Sequence, residues 1–175
     1  MKPQIEFNLR YGIIIGLAGI GYVVAQYLLG FHTTNFKAGQ MAGYFAIAIP
    51  VVGLYFAVKE KVEIADGKRY GNKEGFGIGL RISAISSILT AIFGYIYNTF
   101  INPAFVDQAI VMMRDDLASK GVIPEQIERQ VAMIKLLEGP LSIPLNVLSL
   151  TLLGGIITWL WSRFLGHKKL PEQAG

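Results

Sequence analysis

The sequence predicts an all-α, polytopic membrane protein, with four transmembrane helices and an amphipathic helical hairpin between helices three and four. Three observations carry this. Of 175 residues, 53% are hydrophobic and 16% charged, whereas about a quarter of a soluble domain is charged. Mean hydropathy is +0.46. The charges gather in short segments between long apolar runs, and four runs are long enough for a bilayer core of about 30 Å. One membrane domain over residues 1–175 follows, with spans near 11–31, 41–58, 76–101 and 141–164 and a hairpin over 102–140.

Net charge +4 and a pI near 9.3 do not point to nucleic acid. The basic residues flank apolar runs, where membrane orientation and anionic headgroups account for them. The chain has no cysteine, which excludes a thiol nucleophile, a disulfide framework and an iron–sulfur site.

Met1 to Arg10 reads as a short polar leader, and Tyr11 to Phe31 as an uncharged first span. That run exceeds a signal-peptide core of about 7–15 residues, so it is read as retained. Gly12, Gly16, Gly19, Gln26 and Gly30 share a face, and close packing inside the bundle explains them better than a dimer seam. His32 to Gln40 is a polar turn. The second span, Met41 to Val58, should kink at Pro50. Lys59 to Gly75 is a loop of both charge signs. It lacks a phosphate-cradling GxxxxGK[ST] pattern, and Lys68 and Arg69 are expected at lipid headgroups.

Phe76 to Ile101 is the third span and the organising one; its 26 residues make a helix of roughly 39 Å. Ser83, Ser87, Thr90, Gly94 and Asn98 form a small, polar stripe that belongs against other helices. Arg81 lies about one and a half turns in, where it can snorkel to headgroups. Asn102 is a good N-cap and Pro103 a good first helical residue, so a new helix and a hinge are expected there. Phe105, Val106, Ile110, Met113 and Leu117 line one side of the hairpin's first helix, and Gly121 stops it. Ile127, Val131, Ile134 and Leu137 line the second helix, and Gly139-Pro140 stops that one. The two apolar faces are expected to dock on the bundle or the outer leaflet. Asp116 with Lys120 and Glu125 with Arg129 are favourable i,i+4 pairs. Leu141 to Phe164 is the fourth span. Asn146 and Ser149 sit on its polar face, and Trp159, Trp161 and Arg163 form an interfacial belt.

Eleven Lys and Arg residues fall on the side of the termini and the middle loop, against five on the other. The excess predicts cytoplasmic N- and C-termini, with the hairpin outside.

Phe100-Ile101-Asn102-Pro103-Ala104-Phe105, the acidic amphipathic hairpin after it and the glycine-rich lead Gly71 to Leu80 carry a resemblance across nearly the whole chain. The chain resembles a bacterial four-span family catalogued as domain of unknown function number forty-one ninety-nine. That resemblance implies an inner-membrane protein and supplies no reaction. It also implies a lipid-linked partner, a polyprenyl-phosphate sugar transferase. Members have an acidic residue where Ala104 stands here.

No HExxH, GxSxG or intramembrane carboxylate is present. His32 and His167 fall on opposite sides, and Asp115 and Asp116 diverge by about 100° on a helix. No enzyme activity, metal or cofactor is expected. Methionines 112, 113 and 133 read as apolar packing rather than soft-metal ligands. The first expectation is an accessory or scaffold subunit that meets a membrane protein, lipid or second copy of itself through Asn102, Pro103 and Phe105. The alternative is a small transporter or lipid-handling protein with a polar site at Asn98, Asn146, Ser87 and Thr90. A sealed, dry bundle favours the first; a polar cavity joining Asn98 and Asn146 favours the second.

Overall fold

A computed structural model describes residues 2–65, 70–138 and 142–166, with helices joined by turns and no strand among them. Helix α1 is Lys2–Leu28, α2 Phe36–Phe45, α3 Ala48–Ile64 and α4 Asn72–Ile96, which continues into a π-helical turn at Tyr97–Ile101. The hairpin is α5, Phe105–Ser119, and α6, Pro124–Glu138. Helix α7 is Ser142–Leu165. Four segments are long and apolar enough to cross a membrane: Gln4–Leu28, Phe36–Ile64, Asn72–Ile101 and Ile143–Leu165. The polytopic all-α architecture is thus the one the composition implies.

The boundaries differ in ways that have causes. The polar leader is already helix, because nothing in it breaks a helix after Pro3 and because Arg10 finds Glu60 across the bundle. The charged middle loop contracts, with α3 running to Ile64 and α4 starting at Asn72, where the Glu74 carboxylate accepts from the Gly71 N–H at 2.9 Å. Gly30 does not lie on the face of the first span; it ends α1 in the left-handed region at φ 75°. The second span does break at its proline. Pro50 cannot bond the carbonyl four residues back, that of Ala46, and the chain turns at Ala46–Ile47 between α2 and α3. Ile49 N–H bonds that carbonyl instead, at 3.2 Å.

Helix α4 sits at the centre, packed most extensively on α7 and next on α1. The α4–α7 seam is antiparallel and built of small residues four apart. Gly75 faces Ser162, Gly79 faces Thr158, and Ser83 faces Gly154, each so closely that a Cβ on the glycine would overlap its partner. Farther along, Ser87 Oγ lies 3.4 Å from Thr151 Oγ1. Gly12 and Gly16 of α1 receive Ile85 and Leu89 of α4, so the GxxxG spacing serves packing within the bundle. Thr158 and Ser162 are buried while Leu17, Ile88 and Leu148 are exposed. Small groups inside and large apolar groups outside is the arrangement of helices solvated by lipid. Trp161 departs from the interfacial belt. It packs on the inner cluster with Tyr55, ring centroids 5.0 Å apart, while Trp159 stays exposed.

Most of the hairpin's apolar surface packs within the hairpin. Gly121, at φ 75°, reverses the chain, and Ile110 of α5 meets Ile127 and Val131 of α6 in a separate small core. Arg114 pairs with Glu128 across it at 2.9 Å. Reversal at Gly121 aims most of these faces at each other rather than at the bundle, while Phe105 at the start of α5 docks on His32 and Phe36. The i,i+4 pairs form as expected, Lys120 with Asp116 at 2.5 Å and Arg129 with Glu125 at 2.7 Å.

Candidate functional site

The π turn decides the geometry. It inserts one residue beyond the α-helical ladder, seen in the bond from Asn102 N–H to Tyr97 C=O at 2.8 Å. Its consecutive side chains diverge. Tyr97 is buried toward the turn after α1, and Asn98 is exposed toward α7.

On the Asn98 side lies a groove of about 650 Å³. Thr90, Asn98 and Thr99 line one wall, Asn146 of α7 the facing wall, and Pro103 and Asp107 the end nearest the hairpin. Ile143, Leu150 and Val106 supply apolar surface between them. Two carboxamides 48 positions apart in the chain thus share one opening with two threonine hydroxyls and a carboxylate. Such a surface can donate and accept hydrogen bonds to a neutral or amine-bearing group while its apolar strips hold hydrocarbon. Ser87 is not part of the groove. It is buried in the α4–α7 seam, where its hydroxyl donates to Ala84 C=O at 3.1 Å. Asp107 and Thr99 were not singled out from the sequence. Asp107 reaches the groove only because the chain reverses at Asn102–Pro103, and no periodicity announces that.

On the Tyr97 side is a buried polar chain. His32 Nδ1 lies 2.7 Å from the Tyr97 hydroxyl, and His32 Nε2 lies 2.9 Å from Gln26 Oε1. The expected N-cap at Asn102 is corrected here. Helix α5 begins at Phe105 with Ala104 before it and no side-chain cap, and Pro103 sits in the turn rather than in the helix. The buried Asn102 amide instead donates to His32 C=O and to the Tyr97 hydroxyl, each at 3.3 Å. A buried donor with two acceptors in reach is better satisfied there than at a helix end open to water. Phe105 is half-buried, its ring 4.6 Å from that of His32. Burial pushes the His32 imidazole below its ordinary pKa.

Of the residues expected at headgroups, Arg81 is exposed, in the third turn of α4 rather than near its start. Lys68 and Arg69 lie outside the described residues, as do Gly139, Pro140 and His167. A cluster that sequence reading missed stands at the end of the bundle carrying the termini. Arg10 Nη2 meets both Glu60 oxygens at 2.5 and 2.6 Å, Tyr11 donates to the same carboxylate at 2.6 Å, and Lys61 sits 4.0 Å from the Phe7 ring centroid. Its members are about 50 positions apart, which no local pattern reveals. Among the described residues no group of three His, Cys, Asp or Glu side chains is placed to hold a metal ion.

No curated protein and no solved structure matches the chain. A family profile does, over residues 10–164. That match covers the bundle, the π turn and the hairpin together. The chain therefore belongs to the family described as "Protein of unknown function (DUF4199)".

Proposed function

We propose that this is a lipid-handling protein of the bacterial cytoplasmic membrane that holds the polar part of an amphiphile in the Asn98–Asn146 groove. The observation that carries the reading is the groove itself: Asn98, Asn146 and Thr90, three members of one polar set, line a single opening with Asp107. A lipid headgroup would bond the carboxamides and hydroxyls while its chain follows Ile143 and Leu150 into the bilayer. The basic-residue excess supports cytoplasmic termini, which puts this groove in the outer leaflet.

The test is mild-detergent purification followed by mass spectrometry of the extracted lipid. Enrichment of one lipid class over the host membrane is expected, and its loss in the doubly substituted Asn98→Leu, Asn146→Leu protein. Equal lipid profiles for the two proteins, both helical by circular dichroism, would sink the reading.

A second reading, a non-enzymatic accessory subunit, is favoured by one observation. Val111, Ile123 and Met133 are exposed on an otherwise polar hairpin, and a membrane-protein partner such as a polyprenyl-phosphate sugar transferase would cover them. Cross-linking from Ile123→Cys that captures only lipid would count against it.

A further inference from the structure

Helix α4 carries a second and chemically different pocket at the end far from the groove. Lys73, Phe76, Ile156 and Trp159 line about 390 Å³ between α4 and α7. Lys73 stands at the start of one membrane-spanning segment, and Trp159 within two turns of the end of another. Asn98 lies about 37 Å away along α4, so groove and pocket open at opposite membrane surfaces. Phe76 forms a floor because Gly155 of α7 leaves room for its ring, which a Cβ there would meet at 2.8 Å. Ile156 and Trp159 are exposed, so the pocket opens toward lipid rather than into the bundle.

Its polarity runs in one direction. The Lys73 ammonium is at the membrane surface, and Ile156, nine residues from the end of its span, is roughly 13 Å deeper. Lys73 and Trp159 can only donate hydrogen bonds. Glu74, beside Lys73, is turned to the Gly71 N–H, and Lys73 pairs with no described carboxylate. The Trp161 N–H donates to Val51 C=O at 3.3 Å, whereas that of Trp159 bonds no described residue. Arg81 is exposed two turns farther along α4, and helical side chains lean toward the N-terminus, here toward Lys73. Donors without acceptors, above an apolar slot that faces lipid, fit an anion that carries a hydrocarbon chain. We propose that this pocket binds an anionic phospholipid, its phosphate at Lys73 and one acyl chain over Phe76 and Ile156. Basic pockets between transmembrane helices hold anionic headgroups by the same chemistry. The groove, with Asp107 in its wall, offers an anion no such match, and the inference does not depend on what the groove holds.

The experiment places the full chain in phosphatidylcholine nanodiscs and reads tryptophan fluorescence. The probe is phosphatidylglycerol brominated on its acyl chains, which quenches a nearby indole. Brominated phosphatidylcholine, with the same phosphate but a compensating ammonium, is the comparator. Trp161, packed on Tyr55, adds the same background throughout. The anionic lipid is expected to half-quench at an about fivefold lower mole fraction, the effect of one lysine at a membrane surface. Lys73→Gln should remove that preference and Lys73→Arg should keep it. Lys59→Gln, at the same end of the bundle but outside the pocket, should change nothing, and neither should Asn98→Leu with Asn146→Leu. Excess inorganic phosphate should not relieve the quenching. Equal quenching by the two lipids would overturn the proposal, as would a preference that survives Lys73→Gln. An equal loss in Lys59→Gln would mean diffuse surface attraction, and relief by phosphate would mean a soluble anion; either overturns it. If Lys73→Gln fails to fold, the wild-type lipid comparison and the phosphate competition still decide.

Discussion

Ser83 of α4 seats against Gly154 of α7 so closely that a Cβ on the glycine would overlap the serine hydroxyl. The same contact repeats one turn away at Gly79 with Thr158, and again at Gly75 with Ser162. The helices meet backbone to backbone, and the seam has no slack.

Gly154→Val is therefore expected to force α4 and α7 apart, at about 1–3 kcal/mol as for overpacking generally. Gly21→Ala, where an added Cβ meets nothing within 4 Å, should be neutral or slightly stabilising. Detergent-titrated unfolding followed by circular dichroism measures both. Equal midpoints for the two variants would refute the seam as the main helix contact.

His32 predicts a pH dependence. Unfolded, it titrates near 6.5; folded, burial holds its pKa lower. Below the unfolded value the unfolded chain binds a proton that the folded chain does not, so stability falls as pH falls. The apparent Tm should drop between about pH 7 and about pH 5.5, above the range where ordinary carboxylates titrate. His32→Phe should flatten that slope. A slope unchanged by the substitution would place the titrating group elsewhere.

Asn102→Ala removes a donor shared by His32 C=O and the Tyr97 hydroxyl. Leaving those buried acceptors short is expected to cost about 1–3 kcal/mol. Thermal unfolding reads the loss, and faster limited proteolysis near Gly121 should accompany it as the π turn loosens. Wild-type stability in Asn102→Ala would mean that Asn102 is a bystander.

Orientation is open to single-cysteine labelling, because the chain has no cysteine. With the outer membrane permeabilised, Ser119→Cys in the hairpin should react with an impermeant reagent, and Asn72→Cys at the start of α4 should not. The reverse pattern would invert the topology.

The bundle was legible in the sequence because lipid solvation writes itself into long apolar runs, and because Pro50 and Gly121 each act within a turn or two of themselves. The Asn102 contact was not legible. Local rules make asparagine before proline a cap, but its partner His32 lies 70 positions away, and a buried acceptor outbid the helix end. Gly75 read as a loop glycine because charges precede it, and Gly79, just inside the third span, drew no packing role. Their partners on α7 show them to be seam residues. Asn98 and Asn146 were legible as candidates from helical phase; Asp107 beside them depended on a chain reversal that phase does not encode.

Tyr97 and Asn98 are adjacent in sequence and face opposite ways, Tyr97 onto His32 and Asn98 into the groove. The peptide between them lies in a turn with one residue more than an α-helix uses. Removing that residue would swing everything beyond it by about 100°, carrying Asn102 away from His32 and Asp107 out of the groove.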